Sequence, residues 1–232
     1  MTTRHIRIPL PGGALDADLH VPRAPLGLVI FAHGSGSGRH SPRNQFVARS
    51  LQARAIATLL ADLLTAEEEQ IDLRTAQLRF DIDLLSRRVV VLIDWVRDHS
   101  ELVLPVGLFG ASTGAAAALV AATVRPGSIS AVVSRGGRPD LAGLALPHVI
   151  APTMLLVGSQ DDKVLELNRQ AGGRMRAVTR LEIVSGATHL FEEPGTLEHV
   201  ADRAGDWFTQ YFNEDRGVDL RHRSSHGTFS QS

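Results

Sequence analysis

Leu104-Pro105-Val106-Gly107-Leu108-Phe109-Gly110-Ala111-Ser112-Thr113-Gly114-Ala115-Ala116 decides how this chain is read. An apolar run leads into Gly-x-Ser-x-Gly, and an alanine-rich run up to Ala122 follows. Strand, tight turn and helix in that order are the setting of a nucleophile elbow, in which a serine hydroxyl is held exposed on a strained turn. The glycines fit that reading, because a Cβ at either flank would crowd the strand against the helix. The N–H of Thr113, at the helix start, is placed to stabilise a developing oxyanion together with the helix dipole. A glycine-rich strand-to-helix turn with no chemistry is the plain alternative, so the rest of the chain has to decide.

Around that stretch the chain alternates strands and helices. Residues 5–10 and 14–21 read as a hairpin, with Asp16 and Asp18 alternating against Leu15, Ala17 and Leu19. Residues 26–32 form a continuous apolar run that opens into His33-Gly34-Ser35-Gly36-Ser37-Gly38. Ser41-Pro42 can start a helix, and residues 55–60 make a further strand. Residues 65–80 are rich in Glu, Asp and Arg and read as a solvated excursion, too short for a large lid. Residues 83–99 suggest a long helix. Strands at 129–133, 153–157 and 180–184 follow, with helices at 165–178 and 196–212. The pattern predicts an α/β fold, a mostly parallel sheet with helices on both faces, in one domain over 1–212. Residues 213–232 are polar and are expected to form a mobile tail.

Composition narrows the function classes. A net charge of −1 argues against charge-driven binding to nucleic acid or a membrane surface. There is no cysteine, which removes thiolate metal sites and a cysteine nucleophile and fits a cytoplasmic location. The N-terminus lacks the apolar core of a signal peptide, and no apolar run nears the roughly 20 residues of a membrane span.

Serine needs a base. Among ten histidines, His189 in Ser185-Gly186-Ala187-Thr188-His189 lies in a loop between the last strand and the last helix, at the sheet edge where α/β ligand sites form. His189 in turn needs a carboxylate to fix its tautomer. Gly158-Ser159-Gln160-Asp161-Asp162 offers two; Asp161 is the first choice and Asp162 the second, with helix capping as the other use of either. Ser112, Asp161 and His189 follow the chain order of one serine-hydrolase class. Ser35, with Gly36 next, is the expected second oxyanion donor beside Thr113. Gly36, His40 and Arg135 are candidates for touching substrate, and Arg138 follows the same strand as Arg135. The glycine loop matches neither G-x-x-x-x-G-K-[S/T] nor G-x-G-x-x-G, so a nucleotide cofactor is not expected.

Four motifs in this order, His33-Gly34, Gly110-Ala111-Ser112-Thr113-Gly114, Gly158-x-x-Asp161-x-x-Val164 and Thr188-His189, resemble the α/β-hydrolase superfamily, most closely its dienelactone-hydrolase-like branch. The resemblance spans residues 28 to 212 and implies a sheet of about eight strands and a hydrolase with neither cofactor nor metal. Dienelactone hydrolase itself uses cysteine, so its substrate is not carried over. Residues 134–140 and 191–195 also resemble hydrolase-like proteins often joined to phosphoribosyltransferase domains, although no such second domain is evident here. The expected activity is serine-dependent hydrolysis of small acyl esters. Thioesterase, peptidase or acyltransferase chemistry on the same triad, or a non-catalytic binding domain, are the alternatives. The residues leave the oligomeric state open.

Overall fold

The computed structural model describes residues 3–99 and 104–225. Strands β1 (Arg4–Leu10), β2 (Gly13–His20), β3 (Leu28–Ala32), β4 (Ala57–Ala61), β5 (Val106–Ala111), β6 (Ala131–Arg135), β7 (Thr153–Gly158) and β8 (Thr179–Val184) form one sheet. Their spatial order is β1-β2-β4-β3-β5-β6-β7-β8. β1, β2 and β4 pair antiparallel, and every pairing from β4 through β3 to β8 is parallel. The fully buried five- and six-residue strands β3 to β7 sit centrally, as parallel strands covered on both faces must. This is the expected eight-stranded, mostly parallel α/β architecture.

Helices α1 (Pro42–Ala53) and α6 (Thr196–Ser225) cover one face, and α3 (Ile82–His99) with α4 (Thr113–Val124) the other. Two apolar clusters result. One packs Leu85, Val89, Leu92 and Leu119 on Ile30 and Leu108; the other packs Phe208 and Phe212 on Val29, Phe31 and Phe109. A Cβ on Gly107 would lie 2.6 Å from the ring of Phe208, and Gly27 likewise makes room for Phe212. Burying each such aromatic contributes about 1.5–3 kcal/mol, so these two glycines seat the helix on the sheet.

Local signals explain several boundaries. Ser41 caps α1, its hydroxyl accepting from the Asn44 N–H, with Pro42 at the first helical position. Residues 65–80 are mostly exposed, as a solvated excursion should be, but the excursion is helical. They fold as α2 (Ala66–Thr75) and a 3-10 turn (Leu78–Phe80), and α2 opens with a complete capping box between Thr65 and Glu68. Glu67, Glu68 and Glu69 lie in the first turn, where negative charge suits the helix dipole. Two further helices differ from expectation. α5 (Asp162–Arg174) begins and ends earlier than the expected 165–178. α6 continues past Phe212 to Ser225, and Arg216 ties it to the Pro25 carbonyl at 2.7 Å. Of the polar tail at 213–232, residues 226–232 lie outside the described residues. Among the described residues, no helix is long and apolar enough to cross a membrane.

Candidate active site

The elbow is built by steric exclusion. Ser112 sits at φ 49°, ψ −120°, a conformation that an L side chain rarely adopts and that costs about 1–3 kcal/mol. The surroundings hold it there. Its N–H donates to the Arg135 carbonyl at 3.3 Å, and its carbonyl accepts from Ala115 N–H at 3.1 Å and Arg138 N–H at 3.0 Å. A Cβ at Gly110 would strike the Ala115 backbone, and one at Gly114 would strike the carbonyls of Ala32 and His33. Only glycine fits at either position. Thr113 opens α4, and the N–H of a first helical residue has no acceptor within its own helix.

The acid and histidine loops meet because of another glycine. At Gly158 a Cβ would collide with the Ala187 carbonyl, so glycine there lets β7 and the loop after β8 approach closely. Asp161 stands at the N-cap of α5 yet makes no capping bond with its side chain. Its Oδ2 instead accepts from Nδ1–H of His189 at 2.6 Å. Asp162 is exposed in the first helical turn, so the geometry favours Asp161 as partner of the histidine. With Nδ1 engaged by the carboxylate, Nε2 is the ring nitrogen left without a partner among the described residues.

Ser112 and His189 line one cleft of about 220 Å³, together with Ser35, Arg43, Arg135 and Leu190. No hydrogen bond joins the Ser112 hydroxyl to His189 among the described residues. Catalytic contacts of this kind are often long without substrate and tighten in the complex.

The glycine loop packs directly on the elbow, since a Cβ at Gly34 would lie 3.0 Å from Cβ of Ser112. Ser35 lines the serine cleft. Gly36 does not; it turns at φ 66° toward a second hollow of about 150 Å³, lined by Asp72 and Arg79. His40 is exposed and lies outside the lining of the serine cleft. The Arg138 guanidinium is bound by both oxygens of Asp140, at 2.9 and 2.8 Å, and does not line the serine cleft; only its backbone N–H touches Ser112. Arg135 does line the cleft, and it is buried.

Three residues play supporting parts that sequence reasoning did not assign to them. His33 is buried, its Nδ1–H donating to the Gly34 carbonyl at 3.0 Å while Nε2 accepts from the Leu63 N–H at 2.9 Å. Burial pushes its pKa below the usual value against the opposing pull of Asp62 and Glu69, so the ring is neutral and splints the loop. Glu193 accepts from the Thr188 hydroxyl at 2.6 Å and from its N–H at 3.1 Å, bracing the histidine loop. These bonds, the Thr188 hydroxyl foremost, hold its carboxyl below the ordinary range. Arg43, the second residue of α1, reaches the cleft rim and pairs with Glu192 at 3.2 Å. A signal for Glu193 existed in the spacing Thr188 to Glu193, and His33 stood in the His33-Gly34 motif without this part being visible; Arg43 carried no signal. Among the described residues, no group of three or more His, Cys, Asp or Glu side chains is placed to hold a metal ion.

An elbow serine, an aspartate-bound histidine and an eight-stranded, mostly parallel sheet define the α/β-hydrolase class. Comparison with known proteins narrows this. The chain is 52% identical to a solved dienelactone hydrolase from Anabaena variabilis, over 90% of this chain and 98% of that one, with a TM-score of 0.88. It therefore belongs to the dienelactone-hydrolase-like branch of the α/β-hydrolases. Est1E from Butyrivibrio proteoclasticus shares the fold at 17% identity and a TM-score of 0.74, covering 90% of this chain and 99% of that one. Proteins named phosphoribosyl transferase from two strains of Mycobacterium tuberculosis are 55% identical over 194 residues, 83% of this chain. The chain spans only 43% of their length. No family model matches the sequence.

Proposed function

We propose that the protein is a serine-dependent carboxylic ester hydrolase acting on small acyl esters. The observation that carries this reading is the 2.6 Å bond from His189 to Asp161, beside a serine held at positive φ in the same cleft. His189 Nε2 takes the proton of Ser112 as its oxygen attacks the ester carbonyl. The N–H groups of Thr113 and Ser35 receive the oxyanion. His189 then gives its proton to the departing alcohol, leaving an acyl-Ser112, and water activated by the same histidine releases the acid. Asp161 holds the imidazole in the required tautomer and stabilises the imidazolium without taking the proton.

A cleft of about 220 Å³ is small beside the roughly 300–1,000 Å³ of drug-sized sites, which supports compact substrates. The phosphoribosyl transferase name belongs to longer chains, of which this one matches 43%, and that activity is not extended to the stretch around Ser112. The test is hydrolysis of short p-nitrophenyl esters, with fluorophosphonate labelling alongside. Ser112→Ala should lower kcat by about 10⁴-fold or more and abolish labelling. Turnover surviving in the variant removes Ser112 as nucleophile; no turnover and no labelling of the wild type would favour a binding role for this fold.

A further inference from the structure

Arg135 ends β6, opposite Ala111 of β5 in the parallel register, so its backbone lies against the elbow. Its side chain lines the serine cleft but is only 8% exposed. Among the described residues the guanidinium has no carboxylate partner and no hydrogen-bond acceptor, and its Nη1 is fully buried. Other arginines of the chain nearby are matched: Arg138 by Asp140, Arg79 by Asp72, Arg39 by Asp62. The charge closest in character is another cation, Arg43, whose Nε is also buried without a partner. A buried, always-charged fork with no acceptor is costly for the folded protein, and its five donors suit an oxyanion.

We propose, resting on the esterase reading, that Arg135 with Arg43 forms a subsite for an anionic oxyacid group, a carboxylate or a phosphate, carried by a small ester substrate. The group would sit in the same cleft as the reacting carbonyl, so the substrate is a short ester with its charge a few bonds from the scissile link. Burial, reinforced by Arg43, pushes Arg135 down to about 10, which still leaves it charged at neutral pH and short of a counterion. Arg43 already shares the exposed Glu192, so it serves as the outer member of the pair.

The experiment uses the full chain carrying Ser112→Ala, melted in the presence of inorganic phosphate, succinate or chloride at constant ionic strength. Saturable stabilisation by an oxyanion but not by chloride is expected, with affinity ten- to a hundredfold weaker after Arg135→Met. Stabilisation by phosphate alone assigns a phosphate-bearing substrate; stabilisation by succinate assigns a carboxylate. Where Arg135→Met does not melt cooperatively, Arg135→Lys replaces it, keeping the charge but losing the planar fork, and should weaken binding about tenfold. In the active enzyme, the ratio of kcat/KM for p-nitrophenyl hydrogen succinate to that for p-nitrophenyl butyrate reads the carboxylate arm. A carboxylate subsite makes it about ten or more, falling toward one in Arg135→Met. No stabilisation by either oxyanion, or stabilisation that survives loss of the guanidinium, overturns the subsite. Oxyanion binding that needs Arg135 in a protein turning over no ester would uphold the subsite and sink the esterase reading instead.

Discussion

Two arginines lie on opposite sides of the glycine loop, and they are treated in opposite ways. On the side of α2, Arg79 gives its Nε–H to Asp72 at 2.6 Å, its N–H to the other carboxylate oxygen at 3.0 Å and its Nη2–H to the Asp72 carbonyl at 3.1 Å. On the side of Ser112, Arg135 is more deeply buried and has no acceptor among the described residues. Asp72 shows what compensation achieves: burial alone would raise its carboxyl, yet hydrogen bonds and charge from Arg79 hold it below the ordinary range. The first arginine fastens the segment that covers the loop. The second is left wanting a partner beside the proposed nucleophile, which is how a binding group differs from a structural one.

The sharpest way to break the comparison is to strand Arg79. Asp72 is 5% exposed and Arg79 24%, so removing the carboxylate leaves a largely buried charge unmatched. Losing one partner of such a pair typically costs about 3–5 kcal/mol when fully buried. Asp72→Ala should therefore cost about 2–3 kcal/mol and lower Tm by about 5–10 °C at roughly 2–4 °C per kcal/mol, measured by calorimetry. A shift under about 1 °C would mean that the pair does not fasten the segment.

The same treatment of Arg135 should change sign. Burial and the neighbouring Arg43 push its pKa down to about 10, so keeping it charged in the folded protein costs about 3 kcal/mol at neutral pH. Arg135→Met removes that charge and gives back part of the gain through imperfect packing. Without ligand, we expect Tm to rise by about 2–5 °C. A fall of similar size would place Arg135 among the structural arginines and make its contrast with Arg79 disappear.

Much of this contrast was hidden in the sequence. The elbow, the acid loop and the histidine loop were legible because each is a short motif at the end of an apolar run, and the parallel order of strands carries them to one edge. The choice of Asp161 over Asp162 was not, since both can cap a helix; it follows from the close approach that Gly158 permits to Ala187. Residues 65–80 read as solvated because they are charged. The composition hid that Asp72 turns inward to meet an arginine seven residues later. Arg135 could be seen as an arginine after a strand, but its isolation is a property of what surrounds it in space. Helix α6 was cut short at Phe212 because the apolar pattern stops there, while Arg216 continues the contact through a polar bond to Pro25.

The smallest effect concerns the loop itself, which both arginines flank. His33 must be neutral, because protonation would turn Nε2 from the acceptor of the Leu63 N–H into a second donor facing it. Its folded pKa lies below 6.5, so between those values the unfolded chain binds more protons than the folded one, and stability rises with pH. The contribution is complete above about 6.5 and is lost as pH falls below it, at a slope of at most about 1.4 kcal/mol per pH unit for one proton. Comparing Tm at pH 7.5 and 5.5 in the wild type and in His33→Gln isolates this group from the carboxylates that titrate in both. The wild type should lose more than the variant on acidification. Equal losses would show that the splint between Gly34 and Leu63 does not depend on the charge of His33, leaving the elbow contact of Gly34 alone to hold Ser35 in the cleft.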